Sequence, residues 1–320
     1  MKKFKKGVVL VPDDFKGVDW INKLKTNGLN TLGMHSGGGD SHDVLAGLGW
    51  YGSDEFRQSV AAAGLDCEYE LHASKNLLPD ALYDSHPEYF IQTLRSKIRA
   101  RNLNWCVTAP GLLENVIAEN AAKLAKALPS STKNYFFWGC DIEPGREWCH
   151  CPECSIYSFS EQHLLSVNAM ARKLRQDDPE AQIAYLAYYT TMPAPQLVKP
   201  EENVFCEFAP YLRSFDYAIC DRRSAANRQY VRHLMEQLAL YGPEKIHVLE
   251  YWLDASLWGK VDERHKSPFD KKVCEEDIRF YTSLGIRNIT TFAVRQDEAY
   301  MKLYGDREFL EYAEILAKYE

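Results

Sequence analysis

Two carboxylates one residue apart, Asp141 and Glu143, end the apolar run "YFFWGC" and precede a turn at Pro144-Gly145. Three cysteines follow in C-x-C-x-x-C spacing: Cys149, Cys151 and Cys154. In extended backbone, residues i and i+2 share a face, so both carboxyl groups would project to one side. Carboxyls paired in this way can move protons to and from a reacting group. The plain structural alternatives are that Asp141 caps or bends the chain before the turn and that Glu143 is a solvated loop residue.

A third carboxylate, Glu250, interrupts the apolar stretch "HVLEYW". Burying a charge is costly unless it is paired, so Glu250 has either a task or a partner, for which Arg295 is a candidate. Other polar and aromatic residues sit at the ends of apolar runs: His35, His72, Tyr188, Tyr251, Trp252 and Arg295. The histidines read as hydrogen-bonding rim residues rather than metal ligands. The aromatic clusters "FFW", "AYY" and "EYW" beside carboxylates suit a sugar, whose apolar faces stack on rings while its hydroxyls are hydrogen-bonded.

For the cysteine-rich loop, at about 144–156, the preferred reading is a tight, thiol-packed rim with no metal. The alternative is structural zinc on Cys149, Cys151 and Cys154, completed by Cys140 or a histidine. A second separated Cys/His pair is missing. Nine cysteines are an odd number, and most lie inside apolar runs, which points to free thiols in a reducing compartment.

The elements that must position these residues alternate. Apolar runs at 7–12, 29–35, 65–73, 104–110, 134–141, 181–188, 203–210, 245–252 and 286–294 are separated by stretches with helical spacing. These include 18–28, 54–64, 86–101, 112–128, a helix opening on Ser160, 225–242, 271–285 and 307–319. Near-continuous apolar strands alternating with helices make a covered parallel sheet. About eight principal strands close a single (β/α)8 TIM barrel, expected to occupy residues 1–320 as one domain. A doubly wound sheet would want a glycine-rich first turn, which "VLVPDDFKG" does not supply.

With 320 residues, 46% hydrophobic and 26% charged, the composition is that of a soluble globular protein. The net charge of −7 argues against nucleic acid as a partner. No apolar run is long enough to span a membrane, and "MKKFKKGVVLVP" lacks a signal-peptide core, so a cytoplasmic protein without a membrane partner is expected. No cofactor is called for, and association into a homo-oligomer is compatible with the composition.

The motifs "CDIEPGREWCHCPEC", "IAYLAYYTTMPAP" and "NVFCEFAPYLRSFDYAICD" resemble a group of glycosidase-like barrels. That group includes the endo-β-N-acetylglucosaminidases of glycoside hydrolase family 163 and is distantly similar to family 20 hexosaminidases. The resemblance runs from about Leu65 to Val294 and is carried by Asp141, Cys149-Cys151-Cys154, Tyr188 and Glu250-Tyr251. It implies a retaining, substrate-assisted hydrolase of β-linked N-acetylhexosamines, with Glu143 as acid/base and Asp141 orienting the acetamido group. The family 20 pair is adjacent, whereas Ile142 splits it here. Two alternatives stand beside this reading. One is a retaining glycosidase of a plain hexoside or hexuronide with Glu143 as acid/base and Glu250 as nucleophile. The other is a non-catalytic carbohydrate-binding barrel.

Overall fold

The computed structural model describes residues 4–37, 42–142, 147–257 and 265–319. Its strands in chain order are β1 (Lys5–Leu10), β2 (Thr31–Met34), β3 (Asp66–His72), β4 (Phe90–Gln92), β5 (Arg99–Trp105), β6 (Asn134–Trp138), β7 (Gln182–Ala187), β8 (Val204–Phe208), β9 (Ile246–Glu250) and β10 (Asn288–Phe292). Eight of them close a barrel in the order β1-β10-β9-β8-β7-β6-β3-β2, while β4 and β5 form a separate antiparallel pair. The fold is thus the expected (β/α)8 TIM barrel, with β6 as its fourth strand. Helices α1 (Trp20–Thr26), α2 (Val44–Leu48), α3 (Asp54–Ala62), α4 (Ser74–Leu77), α5 (Ala118–Ala127), α6 (Phe159–Asp177), α7 (Ala225–Tyr241), α8 (Lys271–Ser283), α9 (Glu298–Tyr304) and α10 (Arg307–Leu316) fill the intervals.

The chain divides into two compact units, one of residues 1–35, 54–67 and 206–320, the other of residues 36–53 and 68–205. In the first, β1 pairs in parallel with both β2 and β10, and β9 with both β8 and β10. Its strands bury Val8, Val9, Leu32, Val248 and Ile289, the dense apolar sets expected of strands covered on both faces. Gly7 permits the β1–β2 approach: a Cβ there would lie 2.1 Å from the Thr31 carbonyl oxygen. The Gly7 carbonyl also accepts the Tyr312 hydroxyl at 2.8 Å, which ties α10 to β1.

In the second unit β6 pairs in parallel with β3 and β7. Helix α6 is capped by Ser158, two residues before the serine the spacing suggested. The Ser158 hydroxyl caps the Glu161 amide, and the Glu161 carboxylate accepts the Ser158 amide at 2.7 Å, a reciprocal capping box. Residues 86–101, expected to be helical, form a 3-10 turn and the β4–β5 hairpin instead. Pairing of Ile91 with Ala100 and Gln92 with Arg99 prevails over the helical period, and Leu94 and Ile98 are left exposed in the turn. The strand expected over 104–110 shrinks to the last two residues of β5, and α9 is an element the spacing did not reveal. Among the described residues, no helix is long and apolar enough to cross a membrane.

Gly7→Ala is expected to lower unfolding stability by about 3 kcal/mol, because β1 or β2 must shift to admit the methyl group. Chemical denaturation checks this; a loss below about 1 kcal/mol would contradict so close an approach.

Candidate active site

The second unit carries a small cleft, with a volume of about 30 Å³, beside the carboxyl ends of β3, β6 and β7. Its lining includes His72, Asp141, Glu147, Trp148, His163 and Tyr188. In parallel barrels this end holds the working residues, because the strand-to-helix loops vary while the barrel beneath them is fixed.

His72 is the last residue of β3. Its Nδ1 lies 2.7 Å from the Gly139 carbonyl oxygen, which can only accept, so Nδ1 carries the proton. Burial pulls its pKa below the ordinary histidine value, opposed by the negative charge of Asp141. A neutral ring with Nδ1 protonated turns the Nε2 lone pair toward Asp141, whose Oδ2 is 4.0 Å away. That gap is too wide for a direct hydrogen bond, but both atoms can receive a donor that enters between them. The His72 ring packs edge-on to Trp138 at 5.0 Å and lies 6.5 Å from Tyr188. Gly139 itself has no room for a side chain, since a Cβ would come 2.5 Å from Asn104 Oδ1. That same oxygen accepts the Cys140 amide at 2.7 Å and fixes the chain just before Asp141.

The β7 side adds aromatic walls. Tyr188 and Tyr189 pack edge-to-face at 4.3 Å, and Tyr189 holds a positive φ of 43°. A non-glycine residue in that region is costly, and it turns the chain abruptly at the cleft.

Glu143 lies outside the described residues, as do 144–146 of the cysteine-rich loop. Asp141, His72 and Tyr188 do converge on the one cleft. The sequence reading missed two of its residues. Glu147 is buried; the Thr190 hydroxyl hydrogen-bonds to its Oε1, and its Oε2 has no partner among the described residues. His163, on α6, accepts the Leu186 amide through Nε2 at 3.1 Å, which leaves the proton on an Nδ1 without a partner among the described residues. Burial holds His163 down at about 3, with the neighbouring His72 adding to the effect. Only the inward position of a histidine in an otherwise apolar helix stripe hinted at His163, and nothing in the sequence separated Glu147 from a loop residue.

The remaining expected site residues lie in the first unit. Glu250, at the end of β9, has a fully buried side chain. Its partner is Arg213 rather than the anticipated Arg295: Arg213 Nε donates to Glu250 Oε2 at 3.1 Å. Tyr281 donates its hydroxyl to Oε1 at 2.6 Å, and Arg213 also bonds Asp277. Burial pushes Glu250 up to about 7 against the opposing pull of Arg213. With both oxygens engaged and neither exposed, Glu250 has the surroundings of an ion-network member rather than of a nucleophile. Trp252 belongs to the same network: it is fully buried and its Nε1 donates to Asp277 at 2.9 Å, so it is core rather than subsite. Tyr251 packs on Phe292 at 5.3 Å, and His35 meets the same ring edge-on at 5.6 Å. Arg295 has φ 65°, and its amide donates to Asp14 Oδ1 at 2.6 Å.

Cys149, Cys151 and Cys154 are buried free thiols beside the cleft wall. The fourth sulfur among them is that of Cys106, and neither Cys140 nor a histidine belongs to the group.

Known structures share the closed parallel barrel. The β-N-acetylhexosaminidase of Bacteroides fragilis NCTC 9343 aligns with TM-score 0.56 at 14% identity, over 98% of this chain and 66% of its own. A cold-adapted β-galactosidase of Rahnella sp. R3 gives TM-score 0.61 at 12% identity, over 99% and 56%. The family 20 exo-β-N-acetylglucosaminidase of Vibrio harveyi, solved with N-acetylglucosamine, gives 0.54 at 12%, over 98% and 54%. The chain thus spans between about half and two thirds of the length of these proteins. By sequence, it belongs to the DUF4838 family, a domain of unknown function, with the match running over residues 36–308. No curated protein matches it.

Two measurements check this description. Arg213→Met strips the cation from two buried carboxylates and should cost about 3–5 kcal/mol in unfolding stability. That loss should shrink as pH falls and the carboxyls take up protons; an unchanged denaturation midpoint would refute the network. His163 is neutral in the fold with a pKa near 3 and takes up its proton on unfolding, so its contribution is lost as pH falls below the unfolded value of 6.5. Between about pH 7 and pH 5 that single group is worth about 2 kcal/mol, and His163→Gln should remove that part of the pH slope. An identical slope in the variant would contradict the assignment.

Proposed function

We propose that the chain is a glycoside hydrolase of β-linked N-acetylhexosamines that acts with retention through the substrate's own acetamido group. The observation that carries this reading is the gap between Asp141 Oδ2 and the neutral His72 Nε2, beside Tyr188. An acetamido N–H entering that gap meets a carboxylate that can accept it and turn the amide oxygen toward C1. Attack of that oxygen on C1 breaks the glycosidic bond and forms a cyclic oxazolinium ion, while Glu143 gives its proton to the leaving oxygen. Water then adds at C1, returns a proton to Glu143 and regenerates the acetamido group. Tyr188 with Tyr189 offers faces for the sugar ring, and the dense packing of the His72 ring keeps its lone pair oriented. The resemblance of the sequence motifs to family 163 and family 20 enzymes favours the same assignment of Asp141 and Glu143.

A second reading exchanges one residue. Glu147 has an oxygen in the cleft wall with no partner among the described residues, so it competes with Glu143 for the acid/base role. The two are told apart by leaving-group dependence. The variant lacking the true acid/base should lose about 10²–10⁴-fold on substrates with a poor leaving group and far less on an activated aryl glycoside. We also propose a reducing, cytoplasmic setting, in keeping with nine free cysteines.

The test is turnover of aryl β-N-acetylglucosaminide against aryl β-glucoside, β-galactoside and β-glucuronide. Hydrolysis restricted to the acetamido sugar, with kcat/KM reduced about 10²–10³-fold in Asp141→Asn, is expected. Turnover of a plain hexoside that Asp141→Asn leaves intact would overturn the proposal. Sugar binding without any turnover, of short or long glycans, would make the barrel a carbohydrate-binding module.

A further inference from the structure

Four sulfurs from two separate stretches of the second unit meet in one place. Cys106 follows β5, Cys149 and Cys151 lie in the loop that lines the cleft, and Cys154 opens the 3-10 turn before α6. All four side chains are buried, and their sulfurs lie within 4.8 Å of one another. Cys106 Sγ is 3.6 Å from Cys151 Sγ and 3.7 Å from Cys154 Sγ. A disulfide would bring two sulfurs to about 2.05 Å and leave the others aside. A tetrahedral zinc site with Zn–S bonds of about 2.3 Å instead has sulfur–sulfur edges of about 3.8 Å. The two separations from Cys106 match an edge of that tetrahedron, and all four sulfurs lie close enough to surround one ion.

Hydrogen-bond donors surround the cluster. The Gln92 amide points at Cys149 Sγ at 3.3 Å, and the Cys154 amide at Cys151 Sγ at 3.4 Å. The Thr108 hydroxyl is 3.2 Å from Cys154 Sγ, and the Arg99 guanidinium lies 3.8 Å from Cys149 Sγ. Neutral thiols are weak acceptors, whereas thiolates bound to a metal are strong ones, so this ring of donors suits sulfurs that carry charge.

We propose that Cys106, Cys149, Cys151 and Cys154 form a closed tetrathiolate site for a divalent transition metal, zinc in the first place, that fixes the wall of the cleft. Four sulfurs complete the coordination, so no position is left for water or substrate and the role is structural. Ferrous iron would accept the same sulfurs. The metal would join the end of the β4–β5 hairpin to the loop bearing Glu147 and Trp148. Binding displaces the thiol protons and its free energy adds to that of folding. This departs from the metal-free thiol packing favoured by the spacing alone, which lacked the fourth ligand.

The experiment is elemental analysis of the whole chain, purified under reducing conditions without chelator. It is followed by cobalt(II) exchange, read by the sulfur-to-cobalt charge-transfer bands of a tetrahedral thiolate site. One zinc, or one iron with its own visible spectrum, per chain is expected. Cys106→Ser should lose most of it, whereas Cys140→Ser should retain it, since Cys140 lies outside the cluster. Should Cys106→Ser fail to fold, the cobalt spectrum of the unaltered chain still decides between four sulfurs and fewer. Absence of stoichiometric metal after reductive reconstitution, or full retention in Cys106→Ser, would overturn the proposal. None of these readouts depends on glycosidase activity.

Discussion

The candidate site depends on how the chain between β6 and α6 is held. The described residues of that stretch form no strand, so their backbone groups must find partners elsewhere. At its start, Gly139 gives its carbonyl to His72 and Cys140 gives its amide to Asn104. Toward its end, the Gln162 side chain accepts the Cys149 amide at 3.1 Å and donates to the Cys149 and Cys154 carbonyls at 3.1 and 3.3 Å. The His150 amide reaches the Gln92 carbonyl at 2.9 Å and binds the loop to the β4–β5 hairpin. Asp141 can face the cleft because both flanks of its loop are tied to regular elements.

Burial then sets the electrostatics. His72 and His163 are both enclosed, and each is held neutral by the cost of charging an imidazole away from water. Their partners settle the tautomers: a carbonyl below His72 and an amide above His163. The cleft is thereby furnished with an acceptor nitrogen beside Asp141, in addition to its carboxylates. In the first unit the same burial cost is met in a different way. Glu250 and Asp277 share Arg213, with Tyr281 and Trp252 completing the hydrogen bonds, and the network fastens α8 to the end of β9.

The barrel was legible because its strands are short, apolar and regularly spaced, and because the intervening helices keep a clear period. Asp141, His72 and Tyr188 were legible for a related reason: each is a polar residue where an apolar run ends, and in a parallel barrel such ends converge. The hairpin at 90–105 was not, because its period also fits a helix and only pairing across the turn decides. Glu250 misled because a carboxylate in an apolar strand reads alike whether it is reactive or paired, and Arg213 lies in a loop 37 residues away. Cys106 was hidden by distance along the chain, since spacing reveals ligands only when they share a segment.

The most direct test of the substrate-assisted site is the rate of hydrolysis of aryl β-N-acetylglucosaminides whose acetamido methyl carries none, one, two or three fluorines. Fluorine withdraws electrons from the amide oxygen without changing the leaving group. If that oxygen attacks C1 under the guidance of Asp141, kcat/KM falls steeply and regularly along the series. A rate indifferent to fluorination would mean that the acetamido group is not the nucleophile, and the account of the Asp141–His72 gap would be wrong.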